Sequence, residues 1–354
     1  MAEKVINENA LPHLIAMILT ALFVVFFWVF CRLPGAGKEA LMSGIFSTFI
    51  AYLIVDPELR TRRLIVSFTV LGAFQFVIAM LLQEKFLLII FFFMAIMLIV
   101  HILPNRALAV MVVAMGSMFV AAPGGFEAGM NHWIFLMLML PVELIIIAVM
   151  HKLHPVIIYD PPLKMMYGPM NWFSSFQFAL MMAIGLFIYQ FFQLPFGDWL
   201  IYTMALIHMG GVFGGSALKR AGERVFSGPI GFYFAFLYMA NFVWFYWGMA
   251  YLCGVFAIFG FYMSLRYSKY AIYMICLMLF LMLLYDMNQE QYSEYYMLNM
   301  LFSRIFNSAI GATLAILGEP QHDDTLAPEQ IQELEYLKLR RLSQAPWCGC
   351  AVQK

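Results

Sequence analysis

FLLIIFFFMAIMLIVHIL, residues 86–103, runs for eighteen residues with one ionisable side chain, His101, and no glycine or proline. A bilayer core about 30 Å thick takes about 20 such residues in a helix. Lys85 closes the run on one side and Pro104-Asn105-Arg106 on the other. The stretch therefore reads as a membrane-spanning helix, and it sets the measure for the rest of the chain.

Working outward from it, apolar runs alternate with charged or Pro/Gly-rich breaks over most of the 354 residues. Twelve spans are expected, at 14–31, 40–55, 64–82, 86–103, 107–122, 131–150, 173–194, 198–217, 227–243, 247–264, 270–285 and 296–317. Residues 225–265 form one apolar run, split near Trp247-Gly248 by length alone. The composition carries the same message: 64% of residues are hydrophobic and 11% charged, against roughly 45–50% and about 25% in soluble domains. A soluble globule could not cover such a chain with polar groups. A soluble enzyme, a secreted disulfide scaffold and a disordered protein are excluded. The formal net charge is zero, so no global field recruits nucleic acid. Residues 1–10 are not basic and no small-residue cleavage site follows the first run, which is read as a permanent span rather than a signal peptide. Cys31, Cys253 and Cys276 lie in apolar runs, where a thiol behaves as a small hydrophobe. Cys348 and Cys350 lie in the tail, and their role stays open.

Basic residues orient the spans, since Lys and Arg collect on the cytoplasmic side. With both termini cytoplasmic, sixteen of the twenty basic residues fall inside, while Arg32, Lys38 and Lys85 fall outside and Arg304 lies within the last span. The chain divides into a first six-helix half (1–150), a proline-rich connector (151–172), a second six-helix half (173–318) and a cytoplasmic tail with one short helix (319–354). In each half a basic loop is expected after the second span, with a glycine-containing helix behind it: RTRRLIVSFTVLGAF at 60–74 and KRAGERVFSGPIGFYF at 219–234. Duplicated halves place a substrate site at their interface. Two-helix periodicity and basic inside loops also arise in polytopic proteins without a repeat.

No constellation for catalysis is present: there is no Walker lysine loop, no nucleophile elbow and no His/Glu metalloprotease pattern. The chain is not read as an enzyme and no cofactor is implied. Methionine is spread through every span without a repeated spacing, which suits flexible apolar filler rather than a metal path. The ionisable groups inside spans are the informative ones, because each costs at least ~2.5–3.5 kcal/mol at mid-bilayer. Glu143 follows Pro141 in the sixth span, and Arg304 lies in the twelfth. Their separation of 161 residues is close to the 159-residue offset between the first spans of the two halves. Either they pair permanently and fix helix packing, or Arg304 binds an anion while Glu143 takes up a proton. Asn307 and Ser308 share the helical face of Arg304. His208 opens a glycine-rich segment (HMGGVFGG, 208–215) that allows close packing or a break. Gln75, Gln177 and Gln190 are weaker candidates, since a neighbouring helix can satisfy one amide. Trp133, Trp172, Trp199 and Trp347 lie near span ends, where indole belongs at the membrane interface.

These residues carry a resemblance. A basic segment followed by a Ser/Thr- and glycine-bearing helix joins Arg62 or Arg63 to Gly72, and Arg220 and Arg224 to Ser227 and Gly231. The last span carries R-x-x-[DN]-[ST]-x-x-G as Arg304, Asn307, Ser308 and Gly311. Together they resemble the fusaric acid resistance or aromatic acid exporter superfamily, in its compact form. The resemblance implies a bacterial inner-membrane efflux subunit, proton-driven, exporting aromatic or other weak organic acids. It also implies a periplasmic adaptor of the membrane-fusion type and an outer-membrane channel as partners, besides the lipid bilayer; homo-oligomerisation stays open. An acid substrate would suit Arg304 and a basic cytoplasmic vestibule of Arg62, Arg63, Arg220 and Arg224. The rival reading is a non-transporting membrane scaffold that assembles the adaptor and outer channel.

Overall fold

The computed structural model describes residues 57–103, 106–121, 124–153, 172–208, 217–241 and 294–318, together with Leu19. Among these residues there is no strand; eight α-helices and one short 3-10 helix carry the chain. They are α1 (Pro57–Leu81), α2 (Lys85–Ile102), α3 (Arg106–Ser117, continued by a 3-10 turn at Met118–Ala121), α4 (Phe126–Leu153), α5 (Trp172–Phe192), α6 (Asp198–His208), α7 (Ala217–Asn241) and α8 (Glu294–Leu317). The expected spans at 14–31, 40–55, 247–264 and 270–285, the split of 225–265 and the tail lie outside the described residues.

Among the described residues, four segments are long and apolar enough to cross a membrane: Leu64–Leu81, Lys85–Ile102, Phe126–Ile145 and Trp172–Phe192. They coincide with four of the expected spans. Helix α2 shows why such a segment needs lipid. Phe86, Ile90, Met94 and Leu98 recur at four-residue spacing and are all exposed, an apolar stripe that water would not tolerate at this size.

Three expectations about local structure are corrected. The basic segments are not loops. Pro57 starts α1, a position where its missing N–H costs nothing, so Arg60–Arg63 already lie in helix. Helix α7 starts at Ala217, which puts the whole of KRAGER in its first turns. The proline-rich connector begins later than expected, because His151, Lys152 and Leu153 continue α4.

Helix α1 runs antiparallel to α4 along a tight seam. Gly125 N–H donates to Ala79 O at 2.9 Å, and Gly129 sits against Phe76. At Gly72 a Cβ would stand 2.6 Å from Trp133 Cδ1, so only a bare backbone lets the indole lie there. Inside α4, Pro141 offers no N–H to the carbonyl four residues earlier.

Helices α3 and α6 form the centre. Residues 108–115 of α3 and all eleven residues of α6 are buried. Isolated helices this short are marginal in water, so tertiary packing holds them. Helix α6 touches α3, α5, α7 and α8. Its contacts with α8 pair Phe196 (in the turn before α6) with Asn307, Leu200 with Gly311, and His208 with Gly318. This near-constant offset means that the two helices run parallel. Arg220 meets Ile207 and Arg224 meets Thr203, so α7 runs antiparallel to both.

Candidate functional site

The site is built on α6, DWLIYTMALIH. From α7 come two residues one turn apart. Arg220 Nε–H donates to Ile207 O at 2.8 Å, at the carbonyl end of α6, where a cation also complements the helix dipole. Arg224 Nε–H donates to Thr203 Oγ1 at 2.9 Å. Its guanidinium carbon lies 5.1 Å from the Trp199 ring centroid and 5.0 Å from that of Tyr202.

From α8 comes Arg304, whose guanidinium carbon lies 4.9 Å from the same Trp199 ring and 6.0 Å from that of Phe196. Trp199, Arg224 and Arg304 are each at most 2% exposed. Two buried guanidinium groups therefore approach one indole from different helices. Each such cation–π contact contributes roughly 0.5–2 kcal/mol. Both arginines make further contacts besides.

One turn beyond Arg304, Asn307 Nδ2 donates to Pro195 O at 2.8 Å and to Phe196 O at 3.0 Å. These carbonyls belong to the turn joining α5 to α6, in which Gln193 and Phe196 take φ of 47° and 54°. Left-handed backbone is unfavourable for a bulky residue such as Phe, and the Asn307 amide holds it there. Ser308 is buried beside it. His208, at the other end of α6, places Nδ1 2.8 Å from Met204 O and Nε2 3.4 Å from Gly318 O, and packs on the Phe178 ring.

Around α6 the buried charges are unequal. Three guanidinium groups (Arg220, Arg224 and Arg304) stand against one carboxylate, Asp198, among the described residues of α5 to α8.

The remaining expected residues lie elsewhere. Glu143 is buried on α4, which packs on α1, whereas the helix of Arg304 packs on α6, α7 and α5. The α1–α4 register, set by Gly72 with Trp133 and Gly129 with Phe76, brings Glu143 level with residues 62–63 of the α1 backbone. Arg62 is exposed near the start of α1, and Arg63 follows it in the helix. Of the four arginines grouped as a vestibule, Arg220 and Arg224 are buried against α6. Trp199 is likewise buried, covered by its neighbours. The signal that could have placed these residues is the four-residue spacing inside KRAGER: Lys219 and Glu223 form the outer pair at 3.9 Å, which leaves Arg220 and Arg224 facing in.

Fold and site thus define a multi-pass α-helical membrane protein with a basic–aromatic centre on a short buried helix. Residues 182–318 match the family described as fusaric acid resistance protein-like, so the resemblance carried by the last-span motif holds over this segment. The matched segment takes in Trp199, Arg220, Arg224, Arg304 and Asn307. No curated protein and no solved structure matches the chain.

Proposed function

We propose that this protein is a bacterial inner-membrane efflux subunit that exports aromatic or other weak organic acids in exchange for protons, working with a periplasmic membrane-fusion adaptor and an outer-membrane channel. The observation that carries the reading is the pair of guanidinium groups, Arg224 and Arg304, on the Trp199 ring. A carboxylate accepts charge-assisted hydrogen bonds from arginine, while indole and phenol rings offer an apolar face to an aromatic body. In this reading Arg304 and Arg224 hold the anion, Asn307 and Ser308 keep the α5–α6 turn in place, and His208 ties α6 to the end of α8. Arg62 and Arg63 gather anions from the cytoplasm, Arg220 braces the end of α6, and Glu143 exchanges the proton.

The architecture proposed for it is twelve spans in two six-helix halves with both termini cytoplasmic. One observation supports the repeat. Helix α1 packs on α4 and α7 packs on α8, and these are the third and sixth expected spans of each half.

The test is flux of a radiolabelled aromatic acid in proteoliposomes under an imposed pH gradient. Loss of one charged hydrogen-bonding partner costs roughly 1.5–3 kcal/mol, so Arg304→Ala should raise the half-saturating substrate concentration about 10- to 150-fold. Arg304→Lys keeps the charge and loses the planar fork, and should recover part of that. Unchanged, proton-dependent flux in Arg304→Ala would remove the assigned role.

A further inference from the structure

Outside the α6 centre, a second polar group is buried where α1, α3 and α4 meet. His132 of α4 has no exposed surface. Its Nε2 lies 2.5 Å from Gln75 Oε1 on α1, and Gln75 Nε2 lies 3.2 Å from Met115 O in the last turn of α3. The carbonyl can only accept, so the amide nitrogen of Gln75 faces it and the amide oxygen faces the ring. His132 Nε2 must then carry a hydrogen, and in the neutral ring Nδ1 is left as the acceptor. That nitrogen is buried and makes no hydrogen bond with a described residue. The Phe119 ring lies against the imidazole, 4.0 Å between centroids.

We propose that His132 is a proton-binding site, taking a proton from bulk water on Nδ1 while Nε2–H stays on Gln75. Hydronium becomes water and the ring gains one positive charge; nothing else in the network need turn over, because Gln75 accepts from Nε2–H in both states. The end of α3 favours that charge, since the carbonyls of its last turn are the negative pole of the helix. Among the described residues few other charges compete. The charged positions of α1 are 58, 60, 62 and 63, three turns or more from Gln75; α3 carries only Arg106, at its opposite end; the 3-10 turn carries none. On α4 itself Glu127 is exposed near the start, and Glu143 lies eleven residues beyond His132 on the same face. Leu136 and Met139 fill that face between them, fully buried.

Charging a ring sealed in apolar surroundings costs free energy unless water reaches it. Proton uptake is therefore linked to opening of the α1–α4 seam, and the proton, as a ligand of the hydrated seam, shifts the population toward it. This goes beyond the export reading and does not depend on it, since the site is read spectroscopically and no flux is measured. The experiment is solid-state nitrogen NMR of the full chain in phosphatidylcholine bilayers with labelled histidine. The His132 signals are assigned by their loss in His132→Gln, or by their selective shift in Gln75→Leu if that variant does not fold. At alkaline pH the ring should show a bare Nδ1 and a protonated Nε2. On acidification both nitrogens should become protonated, with backbone signals outside the α1–α4 seam in place. Gln75→Leu should add a second, Nδ1–H tautomer absent from the wild type. An Nδ1–H ring in the alkaline wild type, or a ring that stays neutral until the protein unfolds, overturns the proposal.

Discussion

Gly311→Ala is the sharpest probe of the α6–α8 contact. A Cβ at this position would stand 2.5 Å from Leu200 O and 3.2 Å from Thr203 Cβ, where ordinary contact begins at 3.4 Å. The obstacle is backbone, so no side chain can rotate away, and α8 must retreat by about 0.9 Å if it moves as a body. The Asn307 bonds one turn away, at 2.8 and 3.0 Å, would then lengthen beyond about 3.5 Å and cease to be hydrogen bonds. Overpacking costs ~1–3 kcal/mol and each lost bond ~0.5–1.5 kcal/mol, so the variant should lose about 2–6 kcal/mol. Gly222 of α7 is the control, because a Cβ there meets nothing within 4 Å. Gly222→Ala should be neutral or gain about 0.5–1 kcal/mol, as Ala favours helix over Gly. Both are read by denaturant unfolding of the full chain in one lipid or detergent system, followed by tryptophan fluorescence. If Gly311→Ala lies within 0.5 kcal/mol of the wild type, or if Gly222→Ala is the more damaging change, the close approach of α8 to α6 is wrong.

Asn307→Asp replaces a double donor by an acceptor facing two carbonyl oxygens, so it should destabilise more than Asn307→Leu, by about 1–3 kcal/mol in the same unfolding assay. Trp199→Phe keeps a ring under both guanidinium groups and Trp199→Leu removes it; the second should unfold more easily by about 1–3 kcal/mol, and a double-mutant cycle with Arg304→Lys should show coupling. Lys219→Ala breaks an ion pair whose lysine side chain is 62% exposed and should change stability by less than about 0.5 kcal/mol, whereas Arg220→Ala leaves Ile207 O without its donor and should cost several times more.

Hydropathy made the apolar scaffold visible because lipid-facing and core-facing surfaces of α1, α2, α4 and α5 are both apolar, and length alone then fixes the element. The burial of Glu143 and Arg304 was legible for a related reason, since a charge stands out against such a background. The first turns of α1 and α7 were misplaced because charge was taken as a sign of loop. In α7, helical periodicity sends Lys219 and Glu223 outward and Arg220 and Arg224 inward, a pattern that a composition window averages away. The packing of Trp199 was not legible, because position near a span end says nothing about which neighbour covers the ring. The His132–Gln75 contact joins residues 57 apart, and only the α1–α4 register brings them together.

The same physics explains why the centre lies where a hydropathy scan is weakest. A helix that crosses lipid unaided must be long and apolar, as the four spanning segments are. A helix that supports buried guanidinium groups needs more than length and an apolar surface, since the cations need carbonyls, hydroxyls and rings supplied by neighbours. Helix α6 has eleven residues, about 16 Å of rise, and α7 carries four charges in its first turns; neither passes as an independent span. Both are sustained by what surrounds them: α6 by burial of every residue it has, and Arg220 and Arg224 by α6 in return. A change that loosens α6 should therefore expose the arginines and weaken α7 together, while a change on the outer stripe of α2 should leave both alone. Thr203→Val and Met94→Ala are the matched pair. The first strips the oxygen that Arg224 donates to, at a cost of about 1–3 kcal/mol for the orphaned donor. The second trims an exposed side chain and should change stability by less than about 0.5 kcal/mol; equal losses in the two would mean that α6 is not the element on which the arginines depend.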